Sequence, residues 1–372
     1  MKLKLLPLLG LLASPLALAY DGADCAKDIQ SLPGFLLEND TGAPAHWQQK
    51  GEKHFKAAMA EALAAAAKVE NAEQCQPVIR HYLKAWRHGH LSVGPAWQSE
   101  KKEAGDKAKV KADTKAKPAQ DPDIPSLELL SDKTLLLTLP SFAPQYRQTV
   151  EKLLKDNHDQ LAARPNWIVD VRHNGGGSDS TYGALMPWLM GAGWQDVGAE
   201  WLVTPDNIQG QLAICDRYAP GDADCKAWVD KVVTAMKKVP NGSYARTQPK
   251  AVNYEHVDKV EPKRPAKVAV LVDGQCGSSC EEFLLAVRQS YSVKLLGQRS
   301  YGSLDYSNLR AHVLPSGQFE IHYATSRSLR LPAMPVDLAG VIPDIYLPKA
   351  ESDEAARAQV KQVQGWLEGG DL

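Results

Sequence analysis

The sequence predicts an α/β protein, because short buried strands alternate with helices in its second half. Two segments, 167–171 and 268–272, are short apolar runs rich in β-branched residues, which is typical of central strands. A strand pattern over 134–139 and a helical pattern over 146–161 precede the first of them and predict a β-α-β unit. With 372 residues, the chain is long enough for such a core and an additional lobe.

Composition divides the chain into five predicted segments. The spacing of apolar residues over 53–68 and 72–87 is helical. Lysines and alanines without apolar periodicity follow over 99–120, and such a stretch is expected to be disordered and solvated. A surface helix is predicted near the end, with Gly365 as its stop. The segments are a signal peptide (1–19), an N-terminal helical lobe (20–98), a linker (99–124), a core (125–348) and a C-terminal helix or tail (349–372).

The first nineteen residues have the pattern of a secretory signal peptide. Lys2 and Lys4 precede an apolar run over 5–18, and a small residue, Ala19, ends the segment. The apolar run is too short to span a bilayer, and no cysteine stands at the cleavage point to accept a lipid. We therefore expect a periplasmic or secreted protein without a stable membrane anchor.

Charge and cysteine content are consistent with an exported protein that does not bind nucleic acid. Without Lys2 and Lys4, 41 basic residues face 44 acidic ones, a net charge of −3, so there is no general attraction to polyanions. An even number of cysteines in an exported chain favours disulfides. Other pairings remain open, but proximity in the sequence favours Cys25–Cys75, Cys215–Cys225 and Cys276–Cys280.

A strand-to-helix turn within residues 268–283 is the candidate site for a nucleophile. Ser278 and Ser279 stand at the predicted helix start, where unpaired backbone N–H groups and the helix dipole would stabilise an oxyanion. The same serines also fit the S-x-x-E capping box with Glu281 and Glu282, which requires no chemistry. This stretch alone favours the cap, so the interpretation depends on other segments.

Three successive glycines, Gly175, Gly176 and Gly177, follow the predicted strand at 167–171. Such a run indicates unusual backbone torsions or a backbone that must approach a phosphate, a substrate or a transition state closely. The run has neither the dinucleotide-binding nor the P-loop spacing, so nucleotide binding is disfavoured. A flexible turn remains the alternative.

Four segments in this order resemble the tail-specific, or carboxyl-terminal processing, protease family of serine peptidases, which includes the tricorn core peptidases. They read WIVDVRHNGGGS at 167–178, VAVLVDGQCGSSCEEF at 268–283, LLGQRSYGS at 295–303 and GVIPDI at 340–345. The resemblance implies a crotonase-like spiral protease core with an N-terminal helical lobe. It also implies Ser278 as the nucleophile, with the N–H groups of Gly176 and Ser279 as the oxyanion hole.

Two departures from the family pattern favour its tricorn-type branch. The family's usual Phe-Gly-Lys-Gly loop, which supplies a lysine as general base, is here Tyr301-Gly302-Ser303-Leu304. The space that a PDZ domain usually occupies is here the Lys/Ala-rich linker. In the tricorn-type branch, a histidine from an N-terminal loop is the base.

The resemblance aligns His90, in the segment His88-Gly89-His90, with that family histidine. A histidine with an ordinary pKa near 6.5 can accept the serine proton at neutral pH. Asp337 resembles the acidic residue that orients the base in the tricorn-type site. His173 beside the glycine run is a competing base, and an ordinary surface histidine at position 90 is the remaining alternative.

The predicted function is that of an exported serine endopeptidase or carboxyl-terminal processing-type peptidase that forms an acyl-enzyme. Its expected substrates are peptides or unfolded protein tails. No metal or organic cofactor is implied, since the histidines near Cys75 match no standard metal-binding spacing. The oligomeric state is open. The alternative is a non-catalytic module that binds apolar ligands or peptides, because the interphotoreceptor retinoid-binding proteins resemble the same core and the lysine is missing here.

Overall fold

A helical lobe opens the computed structural model, which describes residues 20–97 and 123–372. Its helices are α1 (Gly22–Asn39), α2 (Ala43–Lys50), α3 (Glu52–Ala66) and α4 (Ala72–Trp86). The sequence predicted α3 and α4 but missed α1, which contains Pro33, and the short polar α2. The predicted signal peptide and all but the end of the predicted linker lie outside the described residues.

The elements that follow the lobe confirm the predicted alternation of strands and helices. The helices are α5 (Arg147–Asp156), α6 (His158–Ala163), α7 (Asp179–Tyr182), α8 (Met186–Leu189), α9 (Pro205–Tyr218), α10 (Ala223–Met236), α11 (Ser279–Val287) and α12 (Asp353–Leu367). The strands are β1 (Ser92–Pro95), β2 (Ser126–Leu129), β3 (Thr134–Thr138), β4 (Asn166–Asp170), β5 (Gly193–Val197), β6 (Ala199–Leu202), β7 (Tyr244–Arg246), β8 (Val252–His256), β9 (Lys267–Val272), β10 (Val293–Gly297), β11 (Tyr306–Val313), β12 (Phe319–Ser328) and β13 (Ile345–Tyr346).

A six-stranded sheet in the order β13-β10-β9-β4-β3-β2 forms the centre of the core. All neighbours are parallel except β2 and β3, which are antiparallel. Strand β9 lies in the interior of the sheet, between β4 and β10, and five of its six residues are buried. A parallel strand that is covered on both faces has to be apolar throughout, which explains the continuous apolar run at 268–272.

Helices cover both faces of this sheet. One face packs against α5, α7, α8 and α11, and the other packs against α12. The helix α12 continues beyond Gly365 to Leu367, so the predicted stop at Gly365 is wrong. Val363 and Leu367 are buried against the sheet, and this packing outweighs the modest cost of a glycine within the helix.

A second sheet joins the helical lobe to the core. Strand β12 pairs with β1, β6 and β11, and β7 extends the sheet beyond β6. Phe319, Ile321 and Tyr323 of β12 lie in the same hydrophobic cluster as the lobe helices. Because β1 follows α4 after only a short loop, this pairing brings residues 87–91, here called the histidine loop, against the core. No helix within the described ranges is long and apolar enough to cross a membrane.

Candidate active site

The turn between β9 and α11, here called the serine turn (residues 273–279), holds Ser278 in an unusual conformation. Ser278 is the N-cap of α11 and has φ +57° and ψ −125°. A non-glycine residue with positive φ outside the helical regions is strained, and such strain is often found at functional sites. Ser278 is partly exposed, whereas Ser279 is buried and its hydroxyl is hydrogen-bonded to Asp179. Of the two serines, Ser278 is therefore the one open to a substrate.

A disulfide encloses the strained serine. Cys276 and Cys280 are bonded to each other, and both are fully buried. The other two pairs are Cys25–Cys75 and Cys215–Cys225, so all three predicted pairings are confirmed. Because the Cys276–Cys280 bond closes a ring of five residues around Ser278, it restricts the backbone of the turn directly.

Replacing Cys276 and Cys280 together with serine should weaken both the fold and the site. Removal of a disulfide that closes such a short loop lowers the free energy of unfolding by about 2 kcal/mol if its effect is on the entropy of the unfolded chain. We also expect a lower kcat, because the turn is freer to relax from its strained conformation. Chemical denaturation and peptide hydrolysis measure the two effects. A matched Cys215→Ser/Cys225→Ser variant, which removes a disulfide between α9 and α10, should lose stability without a comparable loss of kcat.

Glu281 ties the serine turn to a neighbouring loop, here called the bridging loop (residues 300–306). Its side chain is fully buried and accepts hydrogen bonds from the backbone N–H groups of Ser278 (3.1 Å), Gly302 (2.7 Å) and Ser303 (2.9 Å), and from the Ser300 hydroxyl. Burial raises the pKa of Glu281, and these hydrogen bonds act in the opposite direction. From the sequence, Glu281 was predicted only to cap the helix. Its position three residues after Ser278 was the available signal.

The glycine run lies against the serine turn. A side chain on Gly176 (φ +97°) would meet the Gly277 carbonyl oxygen at 2.6 Å and Ser278 Cβ at 2.8 Å, so only glycine fits here. The Gly176 N–H donates to Asn174 Oδ1 at 2.9 Å. An oxyanion at this place would have to share that N–H with Asn174. The Ser279 N–H lies in the first turn of α11, where backbone N–H groups have no partner within the helix.

The His90 ring is held in the tautomer that a general base needs. Its Nδ1 lies 2.6 Å from the Tyr306 carbonyl oxygen. Because a carbonyl only accepts hydrogen bonds, Nδ1 carries the proton and Nε2 keeps a free lone pair. Burial lowers the pKa of His90 to about 4, so the ring is neutral at physiological pH.

The bridging loop contacts both the histidine loop and the serine turn. Gly89 packs on the Ser303 side chain, where an added Cβ would lie 2.8 Å from Ser303 Oγ. The His88 ring stacks on Tyr301, with ring centroids 4.8 Å apart. On the other side, the carbonyl oxygen of Ser303 accepts a hydrogen bond from the Ser278 N–H at 3.2 Å. The bridging loop therefore connects the segment that carries His90 to the segment that carries Ser278.

Asp337, predicted to orient the histidine, has other hydrogen-bond partners. Its Oδ1 accepts from the backbone N–H groups of Leu304 (2.6 Å) and Asp305 (2.7 Å). Burial raises the pKa of Asp337 to about 6. The acceptor for His90 is instead the Tyr306 carbonyl, which no sequence pattern announces. Asp337 holds the bridging loop at Leu304 and Asp305, next to the residue whose carbonyl contacts His90.

His173, the competing base, lies in an exposed turn and contacts a different set of groups. Its Nδ1 is 2.8 Å from Gln275 Nε2 and 3.2 Å from Asp273 Oδ2. Its backbone N–H also donates to the Asp273 carboxylate. These contacts pin the glycine run to the start of the serine turn, which gives His173 a structural role.

Two carboxyl groups, those of Asp179 and Asp196, lie near the start of α11. Asp179 is partly open to solvent. Desolvation by the surrounding protein, followed by the charge of Glu282, raises the pKa of Asp179 to about 7. The pKa of Asp196 is raised to about 6 by the same two causes, while the nearby Arg330 lowers it. Both carboxyl groups therefore hold a proton more readily than an ordinary aspartate does.

Ser278 is a strained serine at a helix N-terminus, and His90 is a neutral histidine. Both are hydrogen-bonded to the bridging loop, and together they are the components of a serine hydrolase site. Residues 217–347 match the sequence model of peptidase family S41. The match covers less than half of the chain. It includes the serine turn, the bridging loop and Asp337, and leaves out His90 and Gly176.

Solved structures show the same fold. Mature CPAF in complex with lactacystin has a TM-score of 0.59 at 11% identity, with 93% of this chain and 97% of that chain covered. A second structure of mature CPAF has a TM-score of 0.56 at 12% identity, covering 93% and 96%. A candidate peptidase of Parabacteroides merdae ATCC 43184 has a TM-score of 0.53 at 13% identity, covering 94% and 97%. A search of the curated proteins finds no match.

These comparisons support the tail-specific protease family and, with it, a serine peptidase that acts on peptides or proteins. The support for peptidase activity comes from the S41 match, because structural similarity at such low identity shows the fold alone. The S41 match together with the α/β architecture and the neighbouring structures confirms the predicted fold class, a helical lobe followed by a protease-like core.

Proposed function

We propose that this protein is an exported serine peptidase in which Ser278 is the nucleophile and His90 is the general base. Ser278 attacks the scissile carbonyl carbon while His90 Nε2 takes the hydroxyl proton. The carbonyl oxygen becomes an oxyanion that the Ser279 N–H binds, with the Gly176 N–H as a second donor shared with Asn174. His90 then gives the proton to the leaving amine, and water hydrolyses the acyl-enzyme.

The observation that carries this proposal is the connection of both residues to the bridging loop. His90 Nδ1–H donates to the Tyr306 carbonyl of that loop, and the Ser278 N–H donates to its Ser303 carbonyl. The orienting acceptor is therefore a backbone carbonyl and not the carboxylate of Asp337. A carbonyl fixes the tautomer and the ring plane, as an acceptor on the second ring nitrogen must do for an efficient base.

We further propose that the site belongs to a histidine-based branch, like that of the tricorn-type peptidases, and not to the Ser/Lys branch. Ser303 stands where the family lysine is expected. Gly89 packs directly on its hydroxyl, so the histidine loop occupies the space that a long side chain at this position would need. This contact supports replacement of one base by another, and it argues against simple loss of a base in a binding module.

The proposed location is the periplasm or the cell exterior, and the proposed substrates are peptides or unfolded protein tails. Three disulfides support an oxidising compartment, since structural disulfides are rare in the cytosol. Ser278 is partly exposed, and Gly175 and Gly177 beside it are exposed, which supports an extended peptide as the substrate.

Covalent labelling tests the proposed function. The full protein should react with a fluorophosphonate probe, and mass spectrometry should find the adduct on the peptide that contains Ser278. It should also cleave an unfolded protein such as casein. A protein that neither reacts with the probe nor cleaves casein contradicts the proposed function and favours the non-catalytic binding module.

The acid limit of activity should lie unusually low. His90 must be neutral to accept a proton, and burial lowers its pKa to about 4, so the base is lost only as pH falls through about 4. We expect kcat/KM to be nearly constant from pH 7 to about pH 5 as far as His90 is concerned. A pH profile with a small ester or amide substrate measures this limit. An acid limb near 6.5 would mean that the base is a solvated histidine.

A further inference from the structure

A buried ion pair in the N-terminal lobe lies next to the histidine loop. The side chains of Arg87 and Asp40 are 1% and 0% exposed. Arg87 Nε donates to Asp40 Oδ1 at 2.9 Å, and Arg87 Nη2 donates to Asp40 Oδ2. This is a two-bond pairing of guanidinium and carboxylate, which fixes the plane of the arginine.

The same guanidinium holds the backbone on both sides of Gly89. Arg87 Nη2 donates to the His90 carbonyl oxygen at 2.6 Å, and Nη1 donates to the His88 carbonyl oxygen at 3.2 Å. Gly89 itself has φ +81°, a conformation that favours glycine. Because glycine has no Cβ, its backbone is less restricted than that of any other residue. The arginine therefore supplies the constraint that the glycine lacks.

Asp40 in turn is fixed to both the lobe and the core. Its Oδ1 accepts from the N–H groups of Gly42 (2.9 Å) and Ala43 (2.8 Å), at the start of α2. Its Oδ2 accepts from the Ala324 N–H of β12 at 3.0 Å. Asp40 thus transmits the position of α2 and β12 to Arg87, and Arg87 transmits it to the histidine loop.

We propose that Asp40 and Arg87 form a positioning pair that fixes the His90 backbone, so that the ring meets Ser278 correctly. The proposal rests on the proposed function, in which His90 is the base. A buried ion pair is a poor device for stability alone, since apolar residues of similar volume often stabilise a fold as well or better. Arginine is required because only its planar fork can bind a carboxylate and two carbonyl groups at once.

The pair also acts on His90 through its charges. Burial is the largest influence and lowers the pKa of His90, while the hydrogen bond to Tyr306 raises it. The positive charge of Arg87 lowers this pKa further, and the negative charge of Asp40 raises it. Loss of Arg87 should therefore raise the pKa of His90, and loss of Asp40 should lower it.

Groups of the core also lie near His90, but they are the same in every variant of the pair. Tyr306 presents its backbone carbonyl to the ring. Burial and the nearby charges of Asp337 and Asp305 raise the pKa of the Tyr306 phenol. The variants of Arg87 and Asp40 do not change these groups, so we assign the opposite shifts expected for the two variants to the pair itself.

The first test is Arg87→Lys, which keeps the charge and loses the fork. We expect kcat to fall about 10- to 100-fold with little change in KM, as for a misplaced catalytic group, while the acid limb of the pH profile stays where it is. Arg217→Lys is the matched control, because Arg217 also pairs by two bonds with a buried carboxylate, that of Glu320. This control should keep a kcat close to that of the unchanged protein.

The second test compares Arg87→Gln with Asp40→Asn. The acid limb should move to higher pH in the first and to lower pH in the second. The Arg87→Gln/Asp40→Asn double variant removes both charges and leaves no unpaired buried charge. It can therefore be measured even if one of the single variants does not fold. It should show a smaller shift than either single change and a lowered kcat.

Two results overturn the proposal: an Arg87→Lys variant with full kcat, or single variants whose pKa shifts are absent or have the same sign. The His90 pKa can also be followed directly by NMR of the ring ¹³Cε1–H group in the full protein. This measurement tests the pair even if fluorophosphonate labelling fails. A failed labelling would contradict the proposed function, whereas missing shifts would contradict the positioning pair.

Discussion

Alanine at Ser278 is expected to lower kcat by roughly 10⁵- to 10⁶-fold, and alanine at His90 by a similar factor. The double variant should be no worse than either single one, because a base without its nucleophile, or a nucleophile without its base, contributes almost nothing. Steady-state hydrolysis of a peptide substrate measures all three, after thermal unfolding has shown that each variant folds.

His173→Ala is the matched control for His90→Ala. Both remove an imidazole near the serine turn, but His173 is exposed and contacts Asp273 and Gln275. We expect the His173 variant to retain most of its kcat. Full peptidase activity in His90→Ala together with loss of activity in His173→Ala would falsify the assignment of the base.

Glu281→Gln should have the second largest effect, on both stability and activity. All four groups that contact Glu281 are hydrogen-bond donors, so the amide NH₂ of glutamine would face a donor in a fully buried place. Each carboxylate oxygen accepts two of these four bonds, so the amide group would lose two bonds to a charged acceptor and bury its own N–H groups without an acceptor. We expect the free energy of unfolding to fall by at least about 3 kcal/mol. We expect kcat to fall about 100-fold, because Ser278 and the bridging loop lose their common anchor.

Denaturant unfolding and peptide hydrolysis measure these two effects of Glu281→Gln. The neighbouring Glu282→Gln is its control on the same helical turn. Glu282 is only partly buried and pairs with Arg330, so its loss should cost less in both measurements. Equal effects at the two positions would show that Glu281 has no special role.

Local sequence patterns were sufficient to predict the strands β3, β4 and β9 and the Cys276–Cys280 disulfide of the core, but not β2, β13 or the strands β5 to β8. A run of β-branched residues can be recognised wherever it occurs, which is why β9, predicted at 268–272, was located almost to the residue. Close cysteine pairs such as Cys276–Cys280 need no knowledge of the fold. The stop predicted at Gly365 was wrong because burial of Leu367 against the sheet depends on tertiary packing.

The arrangement around His90 could not be predicted, for a different physical reason. Its hydrogen-bond acceptor is the backbone carbonyl of Tyr306, and every residue has such a group, so side-chain identity carries no signal. The resemblance to the tricorn-type site implied a carboxylate, that of Asp337, as the acceptor. The partnership of Arg87 with Asp40 joins residues 47 positions apart, and neither stands in a recognisable motif.

The pairing of β1 with β12 has a consequence for when this protein can act during its biosynthesis. The histidine loop is made early, but its supports at Tyr306 and Ala324 are made more than 200 residues later. A nascent chain that does not yet extend to Tyr306 therefore lacks the group that orients His90, even after Ser278 has been added. We expect proteolytic competence to arise only after Tyr306 and Ala324 have been added, so that no shorter nascent chain is a working protease.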